Sequence, residues 1–248
     1  MRTVVLLLSL LTSASTHSAD GKATQILQKM DKMMRGETMQ GRYRMEIVHP
    51  GWQRTMKFEF YSVGLEKSFI KMLAPAKNRG VKFLKINTEM WNYIPKVNRV
   101  IKIPPSMMLQ SWMGSDFTND DLVKESSVVE DYTHLLLPDE KMAGVTAHKI
   151  ELTAKPDAPV VWDKIMYWVR TEDLLPLRAD HFNQKGERIR QVIFSDIQQF
   201  GDRKLPAKME MLLDKKPGNR TTLVLEKGKF NAKIPKGIFT QQNLRSRR

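Results

Sequence analysis

The residue types that most often carry out chemistry are scattered in this chain. His17, His49, His134, His148 and His181 stand far apart, there is no cysteine, and no two histidines have zinc-ligand spacing. Ser115 sits in Met113-Gly114-Ser115-Asp116, which is not the Gly-x-Ser-x-Gly turn that exposes a hydrolase nucleophile. No glycine-rich phosphate loop occurs, and no spacing of carboxylates pairs an acid with a base. Asp116, Asp120 and Asp121 cluster without the loop spacing of an EF-hand, and capping of a short helix accounts for them. The expectation is a protein that is not an enzyme, uses no cofactor and holds no metal.

What the residues offer instead is adaptable apolar surface. The chain has 16 methionines, whose unbranched side chains fill irregular space and tolerate ligands of varying shape. From Ile103 to Ser115 no position is charged, although 27% of the whole chain is, and the stretch is bracketed by Pro104, Pro105 and Gly114. The spacing predicts a helix in which Pro105 makes the first turn, Met108, Leu109 and Trp112 share one face and Gly114 ends it. Such an apolar segment on a long connection would form a lid over a hydrophobic cavity. Thr118, three residues before Asp121, reads as a variant capping box for a second short helix through Leu122 and Val123. A cavity lined in this way suits an acyl chain: at ~0.8 kcal/mol per CH₂, roughly 15 methylenes are worth about 12 kcal/mol of shelter from water.

The elements that must position these residues are mostly strands. Asp20 is expected to cap a helix that runs to about Arg35, where Gly36 stops it, with Ala23, Ile26, Leu27, Met30, Met33 and Met34 on one face. From Gly41 the period becomes two: Tyr43, Met45 and Ile47 alternate with Arg42, Arg44 and Glu46, and Met56, Phe58 and Phe60 with Thr55, Lys57 and Glu59. Similar runs are expected over 68–73, 82–86, 90–94, 99–103, 147–154, 164–169, 177–182, 189–197, 208–213 and 221–226. Breaks are expected at His49-Pro50-Gly51, Pro138-Asp139, Lys185-Gly186 and Lys216-Pro217-Gly218-Asn219. A dozen antiparallel strands with short turns imply one twisted sheet that curls into a barrel or half-barrel, in a single domain.

Length and charge narrow the setting. Arg2, the apolar run from Val4 to Leu11 and the small residues Ser13, Ala14, Ser15, Ser18 and Ala19 form a signal peptide pattern, giving segment 1–19 and a domain over 20–248. The cut is read after Ala19 or nearer Ala14, and the apolar run is shorter than a membrane span needs. An exported chain without cysteine fits the periplasm of a Gram-negative bacterium, unanchored and without disulfides. The net charge is +14, of which Arg2 supplies one. The basic residues alternate along strands, and Arg245, Arg247 and Arg248 form the one dense cluster, so no nucleic acid partner is expected. Attraction to anionic lipid headgroups uses the charge better.

The run Arg79-Gly80, Phe83-Leu84, Trp91-x-Tyr93-x-Pro95 and Arg99, followed by Met113-Gly114-Ser115-Asp116-Phe117-Thr118 with Asp121, resembles the LolA-like outer-membrane lipoprotein-sorting proteins. The likeness is close over about residues 70–125, and the first helix, the strand series and Pro235-Lys236-Gly237 agree in order. It implies a mainly β fold with an α lid: a single antiparallel, unclosed (half-open) β-barrel whose concave apolar face is covered by an N-terminal helix and short helices. It also implies acyl chains of lipids or lipoproteins as ligands and membrane transporters of the resistance–nodulation–division (RND) type as partners. The function expected is that of a monomeric periplasmic carrier or chaperone that delivers lipid or lipoprotein toward the outer membrane. Tyr43, Met45, Met56, Phe58, Phe60 and Trp91 are expected to line the sheet side of the cavity. Met30, Met33, Met108, Leu109, Trp112 and Phe117 are expected to line the helical side, and Arg99 and Lys102 to meet the membrane or a partner at the rim. The alternative is an envelope regulator or adaptor that docks on a transporter or sensor without carrying lipid.

Overall fold

The computed structural model describes residues 14–123, 127–158 and 160–246. Most of the expected signal segment, residues 1–13, and the last two arginines of the basic tail lie outside the described residues. Helix α1 spans Ala14–Arg35. The expected start at Asp20 is corrected: nothing between Ala14 and Ala19 breaks a helix, and Asp20 lies inside α1. Gly36 does end it, with φ +65° and its N–H on Lys32 O at 3.0 Å. A Cβ there would come within 2.7 Å of Asn231 Oδ1, so the position is closed to larger residues.

The strands are β1 Thr38–His49, β2 Trp52–Val63, β3 Lys67–Ala74, β4 Lys82–Ile86, β5 Glu89–Ile94, β6 Arg99–Lys102, β7 Tyr132–Met142, β8 Val145–Ala154, β9 Lys164–Arg170, β10 Pro176–Phe182, β11 Arg188–Phe200, β12 Arg203–Leu213 and β13 Arg220–Phe230. They form one 13-stranded sheet in the order β6-β5-β4-β3-β2-β1-β13-β12-β11-β10-β9-β8-β7. Every neighbouring pair is antiparallel. The sheet is therefore two meanders, β1–β6 and β7–β13, joined where β1 pairs with β13, and β6 and β7 remain its two edges. It is an unclosed half-barrel. Pro138-Asp139, expected to separate strands, lies inside β7, where the register slips between Leu137 and Glu140. An edge strand tolerates a proline at such a bulge because no ladder N–H is lost there.

Alternation decides what each face buries. Ile70 and Phe83 join the main core of the concave face, with Met45, Ile47, Met56 and Phe58 from the first meander and Ile150, Ile165, Val192 and Met211 from the second. Their neighbours Phe69 and Leu84, with Tyr93, face the other way and pack against Leu244, Ile238 and Phe239. Leu244 belongs to the short helix α3, Gln241–Arg245. The ammonium of buried Lys82 fixes this C-terminal strap, donating to Asn243 O at 3.0 Å, Ser246 O at 2.5 Å and Ser246 Oγ at 3.0 Å. It thereby holds the carbonyls that end the helix.

Helix α1 crosses the concave face with Ala23, Ile26, Leu27 and Met30 turned into the core. It is tied to β7 through Thr24 Oγ1, 2.8 Å from His134 Nδ1, and to β12 through Arg203 Nη1, which donates to Met33 O at 2.8 Å. The remaining cover is the connection between the meanders, which carries a single 3₁₀ turn, Pro105–Met107, and helix α2, Asn119–Val123.

Candidate functional site

The connection is folded by its own polar groups. The helix expected from Pro105 to Gly114 is corrected: beyond the 3₁₀ turn the chain doubles back, with Trp112 N–H on Phe117 O at 2.7 Å, Asn119 N–H on Gln110 O at 3.0 Å and Asp120 N–H on Met108 O at 2.7 Å. Serines compete with the helix for backbone partners. Ser111 Oγ donates to Ser115 O at 2.5 Å, and Ser115 Oγ donates to Trp112 O at 2.7 Å and accepts from Phe117 N–H at 3.2 Å. Met113 and Gly114 take φ of +54° and +75° at the reversal, a conformation that Gly114 supplies without strain.

Several anchors hold this loop on the sheet, among them Asn219 Nδ2, which donates to Asp116 Oδ1 at 3.4 Å, and His49 Nε2, 3.2 Å from the same oxygen. Arg54 Nη2 donates to Met113 O. Thr221 Oγ1 accepts from the Asp116 N–H at 3.0 Å and donates to Asp116 Oδ2 at 2.7 Å. The expected capping box is present, with the Thr118 N–H on Asp121 Oδ2 at 2.8 Å and the Asp121 N–H on Thr118 Oγ1 at 3.1 Å. The same Asp121 carboxylate accepts Arg190 Nη1 and Nη2 at 2.9 and 2.8 Å. Between the anchors Trp112, 1% exposed, wedges its indole against Phe58 and Phe83, with ring centroids 5.7 and 5.4 Å away.

Beneath α1 and this loop lies a cavity of about 390 Å³, within the ~300–1,000 Å³ of small-molecule sites. Met30, Tyr43, Met45, Phe58, Phe60, Trp112 and Phe117, expected as lining, all line it. Tyr43 stacks on Phe58 at 5.5 Å and meets Phe60 edge-on at 6.0 Å, so the first meander presents an aromatic wall. The other expected residues stand elsewhere. Met56 is fully buried in the core, Met108 packs on that core, and Met33 packs on a smaller cluster around Phe200 and Leu205. Leu109 is 64% exposed on the outside of the loop, because the doubled-back chain turns it away from Trp112. Trp91 belongs to the convex face, one residue out of phase with buried Met90. Lys102 stands 5.9 Å over the Trp91 ring on that convex face and pairs with Glu89, while Arg99 is exposed on edge strand β6.

The far wall of the cavity comes from the second meander, through Trp162, Ile165, Tyr167, Val192, Phe194, Met209 and Met211. Sequence reasoning missed these, although Val192/Phe194 and Met209/Met211 have the same period of two as the residues it chose. Which strands curl to face each other depends on the pairing of β1 with β13, and that pairing has no local signature. At the end formed by the last turn of α1 and the β2–β3 turn, the lining is charged: Asp31 and Arg35, bonded to each other at 2.5 Å, with Lys67 and Lys85.

Two polar side chains, Arg190 and His181, sit on the otherwise apolar far wall. Arg190 lies over the Trp162 ring at 4.4 Å, and the His181 ring meets Trp162 edge-on at 5.4 Å. Burial, and then the charge of Arg190, lower the His181 pKa well below its usual value, against a smaller opposing effect of the Ala179 backbone. The imidazole is neutral at pH 7. Among the described residues no group of three or more histidines and carboxylates could hold a metal, and no helix is long and apolar enough to cross a membrane.

A family model described as "Uncharacterized protein" matches residues 64–246. Among solved structures, the chain is similar to a DUF1329 family protein from Desulfovibrio piger, at 23% identity and a TM-score of 0.83 over 91% of this chain and 99% of that one. It is similar to a protein from Vibrio parahaemolyticus described as an outer membrane lipoprotein-sorting protein domain, at 22% identity and a TM-score of 0.78 over 92% and 100%. It is also similar to a LolA superfamily protein from Nitrosomonas europaea, at 22% identity and a TM-score of 0.75 over 89% and 98%. No curated protein matches the chain.

Proposed function

We propose, from the chain's membership of the family whose model covers residues 64–246 and from the fold it shares with a LolA superfamily protein, that it is a periplasmic carrier of acyl chains. It would shelter the acyl chain of a lipid or lipoprotein beneath α1 and the loop, and hand it on toward the outer membrane. The observation that carries this reading is the cavity of about 390 Å³ walled by aromatic and methionine side chains from both meanders. Apolar volume of this kind gains affinity from chain length, and methionine walls accommodate chains that differ in shape. The N-terminal signal pattern supports export, and the basic balance of the chain supports contact with anionic headgroups. Arg35 and Lys67, which line the charged end of the cavity, would make that contact. The carrier would act as a monomer, with an RND-type membrane transporter as its partner.

The rival is an adaptor that docks on a membrane transporter or sensor, and exposed Met107 and Leu109 on the outside of the loop favour it. Native mass spectrometry of protein purified without detergent, followed by lipid extraction, separates the two. A co-purifying acylated species is expected. An empty chain that also refuses added lipopeptide would replace the carrier with the adaptor.

A further inference from the structure

Charge of one sign gathers at one end of the first meander. β2 begins at Trp52, β3 ends at Ala74, β4 begins at Lys82, β5 ends at Ile94 and β6 begins at Arg99, so the turns at 50–51, 75–81 and 95–98 share one end of the sheet. The charged end of the cavity, with the β2–β3 turn, lies at the other, roughly 35 Å away along the 12 residues of β2. Residues 47–58, 67–88 and 90–115 contain no aspartate or glutamate, although the chain has 27. Lys77, Arg79, Lys96 and Arg99 are exposed on this rim, and none of them forms an ion pair among the described residues. The Asp116 side chain, 3.2 Å from His49, is 2% exposed and out of reach of anything that meets the rim. Lys102, expected to act with Arg99, is spent on Glu89.

Two large apolar residues stand among these cations. Trp52 is 43% exposed, with the His49 ring at 4.5 Å and the Arg54 guanidinium at 5.4 Å, and Val97 is 57% exposed on the β5–β6 turn. They belong to one surface. Trp52, Pro75 and Lys77 line a common groove, and Gly80 lies against Pro95, whose Cγ would be 3.6 Å from a Cβ there. The rim therefore runs on from Trp52 through Lys77 to Val97. Its chemistry selects the partner. A folded protein needs a contiguous apolar centre to desolvate, and interface cores are poor in lysine; here the apolar tips are separate, with cations beside each. A second copy of this chain would bring the same positive charge and be repelled. An anionic bilayer asks for no match of shape: tryptophan settles at the headgroup level, lysine stems lie along apolar surface, and each cation adds to the attraction. We propose that the rim formed by Trp52, Lys77, Arg79, Lys96, Val97 and Arg99 docks the protein on the surface of an anionic bilayer. This goes beyond the carrier reading and does not depend on it, because it concerns a bilayer and not the occupant of the cavity.

The test is co-sedimentation of the purified protein with vesicles of phosphatidylcholine alone and with vesicles that are one third phosphatidylglycerol. At low salt, partition onto the anionic vesicles is expected to be at least about tenfold stronger, with a blue shift of tryptophan emission that is lost in Trp52→Phe. Lys77→Gln with Lys96→Gln should weaken that partition about fivefold for each cation removed. Lys204→Gln with Lys229→Gln removes the same charge from exposed residues at the other end of the sheet and should leave it nearly unchanged. Equal partition onto the two kinds of vesicle, partition onto neither, or equal losses in the two double variants would each overturn docking by this rim. So would a blue shift that is absent from the unaltered protein or that survives Trp52→Phe. None of these outcomes touches the carrier, which stands or falls on the lipid that co-purifies.

Discussion

Asp121 meets two demands with one carboxylate: it closes the Thr118 cap and it neutralises Arg190. The first role was legible in the sequence, because a capping box is a matter of three residues' spacing. The second was not, because Arg190 is 69 residues away and reads locally as one more basic residue alternating along a strand. His181 was equally silent, a lone histidine between Asp180 and Phe182 whose environment is made by Trp162 and Arg190. Its burial has a consequence for stability. The folded chain keeps His181 neutral while the unfolded chain protonates it below about pH 6.5, so the unfolded state binds the extra proton and stability falls as pH drops through that value. The loss attributable to this residue should approach about 1.4 kcal/mol per pH unit until the folded imidazole itself titrates. Urea unfolding between about pH 7 and about pH 5 should show a smaller decline for His181→Phe than for the unaltered protein; parallel declines would place the titration on another group.

At the scale of elements, period two located the strands well, because each buries one face and a slip of one residue would expose it. β4 Lys82–Ile86 falls where it was expected, and β3, β8 and β9 extend by one or two residues. The misreadings have physical causes. Pro138 was taken as a break because proline cannot serve a central strand, yet β7 is an edge. The uncharged run after Ile103 was taken as helix because its apolar spacing fits one, yet Ser111 and Ser115 bond the backbone locally and fold it as a reversed loop. One of the groups that hold that loop to the sheet is Thr221, a fully buried residue whose hydroxyl both accepts from and donates to Asp116. Thr221→Val keeps the shape and removes both bonds. Amide exchange over residues 111–118 is expected to quicken about tenfold, as loss of one to two net hydrogen bonds implies, and release of a bound acyl probe should quicken with it. Unaltered exchange would mean that the contacts of Arg54 and Asp121, with those of Asn219 and His49 to Asp116, suffice.

For the molecule as a whole, the cavity belongs to neither meander alone: Tyr43, Phe58 and Phe60 face Trp162, Val192 and Met209 across it. A bound acyl ester should therefore protect amides in β1–β2 and in β9–β12 together, and at ~100 times its dissociation constant add about 2.7 kcal/mol to stability. Hydrogen exchange with and without methyl palmitate measures both, and protection confined to one meander would put the ligand outside the cavity. The pairing that makes the two meanders one sheet also sets a timetable. Met39 lies against Phe230 and Val48 against Arg220, so β1 leaves the ribosome long before its partner β13. Until β13 arrives, β1 is a bare edge beside an uncovered greasy face, the arrangement most inviting to stray pairing with another chain. Closure of so distant a contact is also slow. The burden on whatever escorts this chain therefore lasts until β13 has emerged, and a chain that stops short of Arg220 would keep an aggregation-prone seam open for good.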